Sequence, residues 1–130
     1  MAVGPVNDAP VVTTSGGALA YLENDLATAV DPGVAVADLD SVSLVSATVQ
    51  ITGNYVAGED VLSFTNTVGI SGSWNALNGT LTLTGSDTVA NYEAALRTVA
   101  YANTSESPGA ALRTVGFTVS DGTLDSNTAS

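Results

Sequence analysis

Apolar and polar residues alternate along most of this chain, and the alternation predicts strands. Over residues 43–52, Val45, Ala47, Val49 and Ile51 fall on one side and Ser46, Thr48, Gln50 and Thr52 on the other. This is the period-two signature of a half-buried strand. Leu62 with Phe64, Ile70 with Trp74, and Val115 with Phe117 and Val119 continue the same pattern. Asn78-Gly79, directly before the run TLTLT, reads as a hairpin turn. Asp31-Pro32-Gly33 reads as a turn between short strands at 19–22 and 34–36.

One stretch departs from this period. Over residues 88–99, Val89, Tyr92, Leu96 and Val99 recur at steps of three and four, which predicts one helix of a few turns. Thr88 and Asn91 are both able to cap it. The helix leads into a strand at 99–102. Residues 1–10 carry two prolines, Pro5 and Pro10, and read as an interdomain linker, which leaves 11–130 as one domain. The expected fold is all-β, an antiparallel sandwich with one short helix. After the strand ending at Ser120 the chain turns a corner through SDGTLDSNTAS, so the final strand is expected to be cut short. The edge beside 113–120 is then expected to lack its partner and to invite a second copy.

Composition narrows the function. The chain has 45% apolar residues, so it is not an acidic disordered tail, yet thirteen acidic residues face only two arginines, for a net charge of −11. Lysine, histidine and cysteine are absent. A nucleic-acid partner lacks its electrostatic footprint, and anionic membranes are excluded by the same charge. Membrane insertion is not expected, because no apolar run reaches spanning length. No disulfide framework or thiolate metal site exists. Serines and threonines have no histidine or lysine to act as their base, so the chain is read as non-catalytic.

Asp38-Leu39-Asp40 is the sharpest local signal. In extended backbone, residues two apart point to the same side, so both carboxylates turn toward one point while Leu39 turns away. A hard cation bound by six to eight oxygens, calcium above all, suits such a pair. A solvated acidic turn is the competing reading of the pair taken alone.

Taken together, NDAPV at 7–11, LEN at 22–24, ADLDS at 37–41 and VSDG at 119–122 resemble the cadherin-like repeats. The likeness runs nearly end to end with the tandem bacterial members found in large secreted RTX-type adhesins. It continues through VDPGVAVADLDS, ATVQITG, GEDVLSF, NYEAALRTVAYANTS and FTVSDG. The last of these blocks also resembles the chondroitin-sulfate-proteoglycan type repeats. The resemblance implies a Greek-key, immunoglobulin-like or cadherin-like sandwich with calcium at the domain junction. It implies Asn7 and Asp8 as linker ligands, Asp38 and Asp40 as the paired aspartates, Asp121 as the strand-end ligand and Glu23 as the first-strand ligand. Glu23 would face the opposite pole. The family's D-R-E tripeptide is absent, Leu96-Arg97-Thr98 occupying a comparable stretch, so fewer ions are expected than a full junction holds.

Other residues draw weaker readings. Trp74, Tyr92 and Tyr101 lie on apolar stripes and read as core, whereas Tyr55 reads as an exposed aromatic in a Gly-flanked loop. Glu59-Asp60 reads as a strand entry in preference to a second ion site. The expected function is a calcium-stiffened extender module, secreted to a bacterial cell surface, whose partners are adjacent repeats of the same adhesin. Two alternatives stay open: a carbohydrate-binding module and a homophilic adhesion module.

Overall fold

The structure, a computed structural model, describes residues 9–14, 28–38, 43–53, 55–103 and 114–129. Among these the chain is all-β with one short helix. The strands are β1 (Val11–Thr13), β2 (Thr28–Ala29), β3 (Ala35–Ala37), β4 (Ser43–Gly53), β5 (Asp60–Ser63), β6 (Ser71–Asn75) and β7 (Thr80–Thr88). Helix α1 (Val89–Thr98), β8 (Ala100–Asn103) and β9 (Thr114–Ser120) follow. They form three sheets: β6-β7-β4-β9, β2-β8-β5, and the pair β1-β3. The strand expected at 19–22 lies outside the described residues.

The inner face of the large sheet carries Ala47, Val49, Ile51, Leu81, Leu83, Phe117 and Val119, all buried. Leu62 and Tyr101 from the second sheet, Val12 and Val36 from the β1-β3 pair, and Tyr92 and Leu96 from α1 share that core. The outer face of the same sheet is mostly serine and threonine, with Gln50 among them, as the alternation requires.

The phase of β4 needs one correction. Val45 is 39% exposed, while its neighbour Leu44 is fully buried. The register shows why. Leu44 pairs with Asp87 and Ser46 with Thr84, so Gly85 and Ser86 on β7 stand opposite Val45 alone. This β-bulge slips the alternation by one residue. Gly85 can occupy it because it has no side chain: φ is +126° and a Cβ would lie 2.0 Å from the Gly69 carbonyl oxygen.

Helix α1 begins where β7 ends. Thr88 is extended at φ −67° and ψ 156°, and its side chain accepts from the Asn91 N–H. Of the two candidate caps, Thr88 is the one used. The helix is tied to β3 and the residue before it through polar contacts: Val36 N donates to Glu93 Oε2 at 3.0 Å and Arg97 Nε donates to the Val34 carbonyl at 2.9 Å.

The edge beside β9 also differs from expectation. Residues 125–129 fold back antiparallel along it. Phe117 and Ala129 exchange both backbone bonds, at 2.7 and 3.0 Å, and Ser126 N donates to Val119 O at 2.7 Å. The Val119 N–H is taken by Ser126 Oγ at 2.8 Å, and Thr118 meets Thr128 at 2.9 Å. The short return satisfies groups that an open edge would leave to water or a second chain.

Candidate metal centre at one pole

Strand pairing sets which acidic residues share an end of the molecule. Val11 pairs with Ala37, so the chain enters at Pro10 across from Asp38. Asp38 stands five positions before Ser43, so chain length keeps it within about 18 Å of the pole at which β4 begins. β9 ends at that pole too, because Ser46 pairs with Ser120. The turn at Asp121-Gly122 packs there: a methyl at Gly122 would sit 3.5 Å from the Val45 side chain.

Of the six residues expected to ligate calcium, Asp38 and Asp121 are described; Asn7, Asp8, Glu23 and Asp40 lie outside the described residues. Asp38 is half-buried, with Oδ2 shielded from solvent. Asp121 organises its own turn: Oδ1 accepts from Thr123 N at 2.8 Å and Leu124 N at 2.9 Å, and its backbone N donates to Leu124 O. A side chain held this way is pre-aimed, although one oxygen already serves two N–H groups. Among the described residues no three Asp, Glu, His or Cys side chains are grouped closely enough to hold a metal ion. These two of the six expected ligands supply carboxylate oxygens of the kind calcium takes, and a shell of six to eight oxygens would need further donors.

Asp60 is the acidic residue whose setting the sequence pattern did not anticipate. It opens β5, as the strand-entry reading expects, but its side chain is buried, 1% exposed. Oδ1 accepts from Tyr101 Oη at 2.5 Å and Asn103 Nδ2 at 2.8 Å, while Oδ2 accepts from Val56 N at 2.8 Å. The carboxyl group thus fastens the loop before β5 to strand β8. Each of these donors is a polar group that burial would penalise without a partner.

The aromatics sort differently from the sequence reading in one case. Tyr92 and Tyr101 are core residues and Trp74 packs against the core. Tyr55 is not exposed. It is half-buried, stands edge-on to Trp74 with ring centroids 6.2 Å apart, and donates its hydroxyl to the Ala76 carbonyl. Burial, then the nearby Asp60 charge, pushes its phenol above the usual tyrosine range. The ring thus takes part in the packing of the β6–β7 turn, and its hydroxyl is engaged there.

A groove of about 580 Å³ lies between the 65–69 loop and α1, edged by Asn66, Thr67, Asp87, Asn91 and Thr98 over Ala94 and Ala95. Its polar groups already serve the local fold. Asn66 Oδ1 accepts from Gly72 N, Asp87 Oδ1 from Thr88 N and Asn91 Nδ2, and Thr98 Oγ1 donates to Ala95 O.

No helix among the described residues is long and apolar enough to cross a membrane. Comparison with known proteins found no matching family model, no matching curated protein and no matching solved structure.

Proposed function

We propose that this chain is a non-catalytic extender module, a Greek-key repeat of the cadherin-like kind, stiffened by calcium and carried in a secreted bacterial adhesin. The observation that supports it best is the shared pole: the entry at Pro10, the end of β3 at Asp38 and the end of β9 at Asp121 converge there. A cation held between the linker and that pole would fix the angle between one module and the one before it. It would also offset repulsion in a chain of net charge −11.

Thermal melts with calcium, magnesium or chelator test this reading. Calcium binding to the folded state alone raises the melting temperature by mass action, and magnesium, held to strict octahedral geometry, does so much less. Calorimetric titration then locates the site. Asp38→Asn with Asp40→Asn weakens binding strongly, whereas Glu59→Gln leaves it near the parent value. Melts indifferent to calcium and chelator alike would overturn the proposal.

A further inference from the structure

The turn between β6 and β7 contains a pair of residues whose chemistry the extender role does not use. In Asn78-Gly79 the asparagine is exposed, whereas the glycine that follows it is buried and lies at φ +68°. Asparagine before glycine is open to an internal reaction, because no side chain on the glycine hinders attack by its nitrogen. The Gly79 nitrogen bonds to Asn78 Cγ, the carboxamide nitrogen leaves as ammonia carrying the former amide proton, and a succinimide ring remains. Water then adds to one of the two ring carbonyls and breaks its bond to nitrogen. Opening at Cγ yields aspartate, and opening at the main-chain carbon yields isoaspartate, with an extra carbon in the backbone.

In the folded chain each part of this reaction is restrained. The Gly79 N–H, the nucleophile, is tied to the Asn75 carbonyl at 3.0 Å, and the Gly79 carbonyl accepts from Ile51 N at 3.0 Å. The Asn78 carbonyl accepts from Gln50 Nε2 at 3.4 Å. Above the glycine lies Tyr55, whose ring a methyl at Gly79 would meet at 2.9 Å. The Tyr55 hydroxyl is anchored to Ala76 within the same turn, and its ring leans on Trp74. Attack requires the nitrogen to leave Asn75 and the Asn78–Gly79 peptide to rotate, and the tyrosine ring is packed directly against the glycine that must move.

We propose that Asn78 is a latent succinimide site held closed by Tyr55, so that its conversion records opening of the hairpin end. Conversion adds one negative charge, and the isoaspartyl product lengthens the turn and disturbs the Asn75↔Thr80 register. The inference is independent of calcium.

The test is incubation in mildly alkaline buffer, with aspartate and isoaspartate at position 78 quantified by peptide mapping. The folded parent converts at least about tenfold more slowly than the same chain in urea, because reaction waits on local opening. Tyr55→Ala moves the folded rate toward the urea rate, while Tyr55→Phe, which keeps the ring, stays near the parent. A folded parent as fast as the unfolded chain, or a folded Tyr55→Ala no faster than the parent, overturns the proposal. Should Tyr55→Ala fail to fold, hydrogen exchange at the Gly79 amide of the parent decides. Strong protection supports the closed site, and free exchange overturns it.

Discussion

Asp60 shows how a single buried side chain can hold distant parts of the chain together. Its three donors come from Val56, four residues away, and from Tyr101 and Asn103, 41 and 43 residues away. Asp60→Ala removes the acceptor that all three share, and we expect a loss of about 3 kcal/mol in urea unfolding. Tyr92 is the second residue with a sharp expectation. It is fully buried and donates to the Gly85 carbonyl at 2.5 Å. Burial, then the Asp87 charge, holds its phenol above the ordinary range. The folded chain therefore keeps that proton more tightly than the unfolded chain does. The resulting stability is fully present below the ordinary tyrosine value of about 10 and is lost as pH climbs through the raised value. Tyr92→Phe, about 1 kcal/mol less stable at neutral pH for want of its hydrogen bond, should show a shallower alkaline decline. Denaturant midpoints measured on both sides of pH 10 check the difference.

At the level of elements, β1 and the 125–129 return meet through a side chain. Asn127 receives the Val12 N–H at 3.0 Å and donates to the Val12 carbonyl at 2.9 Å, so its amide serves β1 as a strand's peptide would. Asn127→Ala leaves that N–H and carbonyl unmatched. It should cost about 1–2 kcal/mol and raise hydrogen exchange in β1 and in the 125–129 return together. Equal exchange in parent and variant would mean that the return is held by its backbone bonds alone. Helix α1 carries a separate expectation. Thr88 caps it through Asn91 N at 3.0 Å, and Thr88→Ala should lower stability by about 1 kcal/mol, read as a shift in thermal midpoint. The Glu93–Arg97 pair, at 3.5 Å with 28% and 43% of the side chains exposed, is a weaker fixture. The backbone bonds that the two side chains make to β3 and the residue before it do more to hold the helix in place.

For the whole molecule, charge is the dominant variable. Thirteen acidic residues against two arginines make the compact state repel itself. Monovalent salt should raise the melting temperature modestly by screening, since the Debye length shortens to about 8 Å at 0.15 M. Calcium at matched ionic strength should raise it further and saturate. That excess separates bound ions from screening, and its loss in Asp38→Asn with Asp121→Asn would locate them. The pole on which this rests is a product of topology. Nothing local in Asp38 and Asp121, 83 positions apart by their numbers, states that they share an end. The β4–β9 register sets Asp121 near the start of β4, which follows Asp38 by five positions.

Local patterning specified most of the elements. The alternation in β4, β5, β6 and β9, the helical stripe of Tyr92 and Leu96 and the hairpin signal at Asn78-Gly79 are written in residue order, because burying one face of a strand or helix imposes its own period. The Asp31 turn is equally local: its carboxylate accepts from Gly33 N at 3.0 Å, two residues on. What residue order could not decide depends on groups far apart in the chain. The bulge that turns Val45 outward requires Gly85 to meet Gly69. The burial of Tyr55 requires the β6–β7 turn beneath it and Trp74 beside it. The closed edge of β9 requires a polar segment with little hydrophobic signal of its own, which is held by matching donors and acceptors on β9 and Val12. Period and turn chemistry act within a few residues, and the sequence alone determined what they govern. Pairing partners, edges and buried polar networks are settled only when the folded chain excludes water from them, and those the tertiary structure decided.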